Sequence, residues 1–224
     1  MFPSWDVASH ATFGSPAWEI LDTARQERTE LIIVGSHGRS FVGRFVLGSV
    51  SQKVLNEAPC SVRVARGRVE TDAGPQRILI AFDGSKGAFD AVASVASRYW
   101  SDGADVRLVF ACGTGNASAR FVERCADQPA ADAPACGGTF IKEAADKAID
   151  VLEKARLRVS FSCTDGNARS ALLEEAERWS ADSIFVGANA GTGGLREFVL
   201  GSTAAAIAAR ASCSVEVVRP GFRR

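Results

Sequence analysis

The tightest constraint on the fold is that the chain repeats itself. ILDTARQERTELIIVG (20–35) matches LLEEAERWSADSIFVG (172–187) at an offset of 152, and FVLGSVSQKVLNEAPCSVRVAR (45–66) matches FVLGSTAAAIAARASCSVEVVR (198–219) at an offset of 153. FVLGS is identical in both copies, and the step from 152 to 153 places one inserted residue in the glycine-rich stretch between the blocks. Gly14-Ser15-Pro16 aligns with Gly166-Asn167-Ala168, and Val7 with Val159. Ordered blocks at so long an offset mean two related domains, because solenoid repeats recur every ~20–50 residues. The second copy reaches back to about Arg77, whereas the first holds only the later part of the series. The expected organisation is a partial domain over 1–66, a polar linker GRVETDAGPQ over 67–76, and a complete domain over 77–219.

The complete copy alternates strand and helix. RILIAFD (77–83) is an apolar run ending in Asp-Gly-Ser, as a buried parallel strand requires. A helix follows over 87–100, with Phe89, Val92, Val95, Ala96 and Tyr99 on one apolar face. A strand is expected over 105–112, then a long loop over 113–138. A helix over 141–156 carries Ile141, Ala145, Ala148, Ile149 and Leu152 on one face. Strands at 158–163, 182–187 and 213–218 and helices at 168–180 and 202–211 complete the set. This alternation implies an α/β fold with a doubly wound parallel sheet and right-handed crossovers. The first copy predicts a weak strand near 6–11, a helix at 16–28, a strand at 30–35, a helix at 48–57 and a strand at 60–65.

Composition excludes several classes of function. Lys plus Arg equals Asp plus Glu at 26 each, with no basic run, so neither a nucleic acid nor an anionic membrane is expected as a partner. The N-terminus lacks the pattern of a signal peptide and no apolar run is long enough to span a bilayer, so a cytoplasmic location is expected. Six cysteines (60, 112, 125, 136, 163 and 213) form no C-x-x-C pair and lie far from His10 and His37, which argues against zinc and for free thiols. Trp5, Trp18, Trp100 and Trp179 read as packing residues, and His37 as a loop residue without a role.

The glycines are the candidate chemistry. Gly35 closes a strand, Gly38 lets the backbone turn, and Gly48-Ser49 opens a helix, with Ser49 as a capping residue. A helix N-terminus presents unpaired N–H groups and partial positive charge, and glycine lets an anion come close. Ordinary strand-to-helix turns would use the same residues. No G-x-x-x-x-G-K-[ST] occurs, which excludes a P-loop.

The spacing G-x2-G-x9-G-S, here Gly35, Gly38, Gly48 and Ser49, resembles the nucleotide motif of the universal stress protein family, and Asp83-Gly84-Ser85 resembles the end of that family's opening strand. The resemblance covers 77–219 as a full domain and 6–66 as part of another. It implies a five-stranded parallel sheet in the order 3-2-1-4-5, of the adenine nucleotide alpha hydrolase-like type. It also implies ATP as ligand, with Mg²⁺ or Mn²⁺ bridging the phosphates. Asp83 would face the ribose or the metal, beside Ser85; Gly187, Gly191, Gly201, Ser202 and Thr203 would line the phosphates. In this copy the spacing is Gly187-x3-Gly191, one residue longer than in the first, while Gly191-x9-Gly201-Ser202 is unchanged. The first copy has the glycines but nothing corresponding to Asp83. The family also pairs through its last strand, so residues 60–65 and 213–218 are expected to join the two copies within one chain or to build a homodimer. The expected function is an adenine-nucleotide-binding stress-response module, not an enzyme. The alternative is a dimerisation scaffold that binds no nucleotide.

Overall fold

The computed structural model describes residues 6–36, 47–67, 75–100, 103–112, 139–188 and 200–220. Among these residues seven strands and six helices follow in the order α1 (Pro16–Gln26), β1 (Leu31–Gly35), α2 (Ser49–Glu57), β2 (Ser61–Ala65), β3 (Arg77–Ala81), α3 (Lys86–Ala96), β4 (Asp105–Cys112), α4 (Thr139–Lys154), β5 (Arg158–Asp165), α5 (Ala168–Arg178), β6 (Ser183–Gly187), α6 (Ser202–Arg210) and β7 (Ser214–Val218). They form one sheet in the order β1-β2-β7-β6-β3-β4-β5. Within residues 77–219 the strands are parallel and follow the expected order 3-2-1-4-5. The sheet does not stop at five strands, because β2 adds antiparallel to β7 and β1 adds parallel to β2. The last strands of the two copies therefore meet edge to edge within one chain.

The repeat is visible in the backbone. α1 and α5 have 11 residues each, and α2 and α6 have 9. Arg28 (φ 50°) and Ser180 (φ 53°), equivalent residues after α1 and α5, are both left-handed, as are Gly14 and Gly166 before them.

Alternation along the strands divides the apolar residues between two faces. On one face Ile32, Val62, Val64, Val215, Val217, Ile184, Val186 and Leu79 form a continuous core with α1, α2, α5 and α6, running across both copies. On the other, Ile78, Ile80, Leu108 and Phe185 pack with α3 and α4. The apolar face expected for α4 is buried at every position, Ile141, Ala145, Ala148, Ile149 and Leu152.

Three expectations need correction. Residues 6–13 form no strand, and Val7 and Phe13 are 81% and 100% exposed. A strand persists through its ladder of hydrogen bonds, and no described strand lies beside residues 6–13 to supply one; among the described residues the sheet ends at β1. Ile33 is 62% exposed there, whereas its repeat equivalent Phe185 is fully buried against Trp100. α3 stops at Ala96, which leaves Tyr99 95% exposed instead of on the apolar face. Trp18 is 52% exposed and lies under the Lys53 ammonium at 4.0 Å. Finally, Cys60 and Cys213 are free and buried, but Cys163 is disulfide-bonded. Cys125, Cys136, His37 and Trp5 lie outside the described residues.

Burial pushes the Cys213 thiol up to about 11, opposed by a backbone hydrogen bond and by the nearby Arg66 and Arg63 charges. A thiol raised in the native state stays protonated while the unfolded chain ionises near 9. Stability is therefore constant below pH 9 and falls as pH rises from about 9 to 11. Alkylation of Cys213 at pH 8, followed by mass spectrometry of its peptide, is expected to be slow in native buffer and at least ~100-fold faster in urea. Equal rates in both would show that the thiol is not held in the core.

Candidate functional site

In an open parallel sheet, helices packed on opposite faces diverge where the strand order reverses, leaving a crevice beyond the carboxyl ends of the strands. Here the reversal falls between β3 and β6. A cavity of about 170 Å³ opens there. The ends of β3, β4 and β6 form its floor, through residues such as Asp83, Val109 and Val186. The first turns of α3, α5 and α6 form its rim, through Ser85, Ala168 and Gly201–Ala204. The N-terminal turns of three helices thus border one space.

Local chemistry sets each position. Asp83 follows β3, and its Oδ1 accepts from the Ser85 N–H at 2.9 Å. This turn needs Gly84 at φ +75°, a conformation cheap only for glycine. Ser85 caps α3, its Oγ accepting from the Ala88 N–H at 3.2 Å. Gly201 is the N-cap of α6 and has no side chain to cap it. The first intrahelical bond there is donated by Ala205 to Gly201, so the N–H groups of Ser202, Thr203 and Ala204 face the cavity mouth without a helical partner. The hydroxyls of Ser85, Ser202 and Thr203, three amides and one carboxylate therefore border one cavity.

Of the expected ligand residues, Asp83, Ser85, Gly187, Gly201, Ser202 and Thr203 all line this one cavity, although 120 residues separate the first from the last. Gly191 lies outside the described residues, as does the rest of 189–199. Gly187 has a second task. A Cβ there would lie 2.7 Å from the Gly87 Cα and closer still to its carbonyl, so the first turn of α3 rests directly on the end of β6. The residues not foreseen are Val109, Phe110 and Ala111 at the end of β4, Ala168 and Leu172 on α5, and Gly87. Their common signal was available: in a parallel sheet every helix start and strand end gathers at the same edge.

The first copy is less complete. Gly35 ends β1 and Gly48 caps α2, while Gly38 lies outside the described residues. Ser49 is the first helical residue and not the cap, a correction to the capping role expected for it. The Ser51 hydroxyl donates to the Gly35 carbonyl at 2.7 Å, tying helix to strand end. Among the described residues, nothing stands opposite these glycines as Asp83 stands opposite Gly201.

No group of three or more potential metal ligands occurs among the described residues, so a cation here would rely on Asp83 and on oxygens brought by a ligand. No described helix is long and apolar enough to cross a membrane.

The family model of the universal stress proteins matches residues 6–66 and 75–219. A universal stress protein of Thermus aquaticus is 49% identical over 53 residues, 24% of this chain and 39% of that protein. One from Methanothermobacter thermautotrophicus is 43% identical over 53 residues, 24% and 36% of the two chains. The aligned part thus spans about two fifths of the length of these curated relatives. Among solved structures, a universal stress protein from Archaeoglobus fulgidus superposes with a TM-score of 0.59 at 22% identity, covering 93% of this chain and 67% of that one. A structure from Pseudomonas aeruginosa gives 0.57 at 17%, covering 93% and 69%. At such identities the likeness concerns the fold alone.

Proposed function

The chain belongs to the universal stress protein family, and from that premise we propose that residues 77–219 bind an adenine nucleotide, ATP with Mg²⁺ or Mn²⁺, as a binding module and not as an enzyme. The observation that carries this reading is the convergence of three helix N-termini and the Asp83 carboxylate on one cavity at the switch point. Each group has a distinct task. The apolar floor of Val109, Phe110, Leu172 and Val186 suits the faces of a purine. Asp83 suits ribose hydroxyls or a cation carried by the phosphates. The amides of Ser202, Thr203 and Ala204, with the Ser202 and Thr203 hydroxyls, suit phosphate oxygens, and the α6 dipole favours their charge. The cation would supply charge neutralisation between phosphates, held by the nucleotide and Asp83.

Binding is preferred over turnover for a chemical reason. Phosphoryl transfer needs a positioned base together with cationic stabilisation of the transferred group. Among the described residues, Asp83 is the one titratable side chain lining the cavity, and no Lys or Arg lines it. The scaffold reading keeps one observation in its favour, the β2–β7 junction, which needs no ligand.

Calorimetric titration with Mg·ATP separates the two. We expect micromolar binding to the parent chain, at least a tenfold loss in Asp83→Ala, and no measurable heat in Gly201→Val, where a branched side chain would cover the amides. No heat with the parent chain, and no shift in its melting temperature, would favour the scaffold.

A further inference from the structure

The junction between the copies has the form of a two-fold dimer interface built within one chain. Val62 pairs with Val217, Arg63 with Glu216, and Val64 with Val215. Positions 63 and 216 are equivalent in the repeat, so the pseudo-two-fold axis passes through the Arg63–Glu216 pair. Contacts flanking the axis come in reciprocal pairs. The Arg219 N–H donates to Ser61 Oγ at 3.0 Å, and the Arg66 N–H donates to Ser214 Oγ at 3.1 Å. The Arg219 guanidinium reaches the carbonyls of Leu55 and Cys60 at the end of α2, and that of Arg66 reaches the Ala209 carbonyl on α6. Around the axis the two copies present the same residues: Cys60 and Cys213, Ser61 and Ser214, Val62 and Val215, Val64 and Val217, Arg66 and Arg219.

Such a surface is self-complementary, and self-complementary edges form homodimers. The position that breaks the equivalence in charge is the one on the axis, where the first copy has Arg and the second Glu. Glu216 is fully buried and held bidentately by Arg98, with one bond of 2.7 Å. Arg63 and Arg98 both lie over the Phe185 ring, at 5.9 and 5.2 Å, and Arg63 is the cross-strand neighbour of Glu216. Two β7 strands paired in this register would set Glu216 against Glu216. Two β2 strands would set Arg63 against Arg63. Like charges directly opposite each other in an antiparallel pair are destabilising, and interfaces commonly gain specificity by such repulsion.

We propose that Arg63 and Glu216 are the specificity determinants of this edge: β7 accepts a strand carrying a cation at its centre, which β2 of the same chain provides, and rejects a second copy of itself. The on-axis charges thereby commit the chain to internal pairing where its backbone and flanking side chains would equally permit association between chains.

The test varies position 63 alone, leaving the Arg98–Glu216 pair intact. Hydrogen exchange of the β2 amides and light-scattering mass are measured on the full chain for Arg63→Lys, Arg63→Met and Arg63→Glu. Protection of β3 and β4 reports that residues 77–219 remain folded. Arg63→Lys should exchange like the parent and Arg63→Met up to ~10-fold faster. Arg63→Glu should exchange at least ~100-fold faster and stay a single chain of 23.6 kDa, because its released β7 still carries Glu216. Two results would overturn the proposal: Arg63→Glu no faster than Arg63→Met, or Arg63→Glu assembling into dimers in which β7 stays protected.

Discussion

Gly187→Ala is expected to cost about 3 kcal/mol of stability, at the upper end of the range for overpacked cores. The added methyl would overlap the Gly87 carbonyl and lie 2.7 Å from the Gly87 Cα, and these are backbone atoms. A flexible side chain could swing away, but the first turn of α3 cannot, because the Asp83–Ser85 and Ser85–Ala88 hydrogen bonds fix it. Relief requires α3 to lift off β6, which would open the core formed by Val92, Val95 and Phe185. For a chain of this length the loss corresponds to a fall in melting temperature of roughly 6–12 °C. Gly87→Ala, whose Cβ would meet the Ala188 carbonyl at 2.8 Å, should cost less, because that contact involves one atom near the end of a strand. The two variants separate the tasks of Gly187. If the glycine served phosphate approach alone, Gly187→Ala would melt like the parent and lose only Mg·ATP affinity. We expect both to fall together, since Gly187 and Ser85 line the same cavity. A parent-like melting curve by circular dichroism would refute the close approach.

How far the site could be read from sequence followed from how local each signal was. Asp83-Gly84-Ser85 is a contiguous turn with its own hydrogen bonds, so its form was legible without a fold. Gly201-Ser202-Thr203 was legible for the same reason, as the opening of a helix. The resemblance to the universal stress proteins then implied which strands lie next to one another. Gly87 escaped notice because the reason for it lies a hundred residues away, at the end of β6. The missing strand at 6–11 shows the opposite failure: Val7 aligns with Val159 of a real strand, but a strand also needs a neighbour to hydrogen-bond with. Tyr99 failed likewise, since helical spacing continued past the point where α3 ends. The Arg63–Glu216 pair could have been seen in the repeat alignment, as the one clear change of charge in otherwise matching last strands. Its meaning required knowing that the two positions face each other across an axis.

The second large effect is expected at Glu175, which lies outside the cavity and yet should govern it. Its carboxylate is 2% exposed on α5 and faces Arg107 of β4. Arg107 Nη1 donates to Oε1 at 2.9 Å, and Arg178 Nε donates to Oε2 at 3.0 Å. The Arg107 guanidinium also lies 4.7 Å from the centre of the Trp179 ring and donates to Ser160 Oγ. Glu175→Ala removes the anion from between these cations. Arg178 is 54% exposed and can turn to water, but Arg107, at 13%, keeps its charge inside the fold. Stranding one member of a buried pair typically costs 3–5 kcal/mol. Arg107 retains the Trp179 ring and Ser160, so a loss of about 3 kcal/mol is expected, measurable by urea denaturation. Glu175→Gln keeps the volume and one acceptor and should lose about half as much. The functional consequence follows from position. Ala168 and Leu172, on the first turns of α5, form one wall of the cavity, and the Glu175–Arg107 pair anchors that helix to β4. If residues 77–219 bind Mg·ATP, Glu175→Ala should weaken binding about tenfold by letting the wall move, while Asp83 and Gly201 remain in place. An unchanged urea midpoint would mean that burial of Leu172 and Ala176 alone fixes α5, and that the ion pair only fills space between helix and sheet.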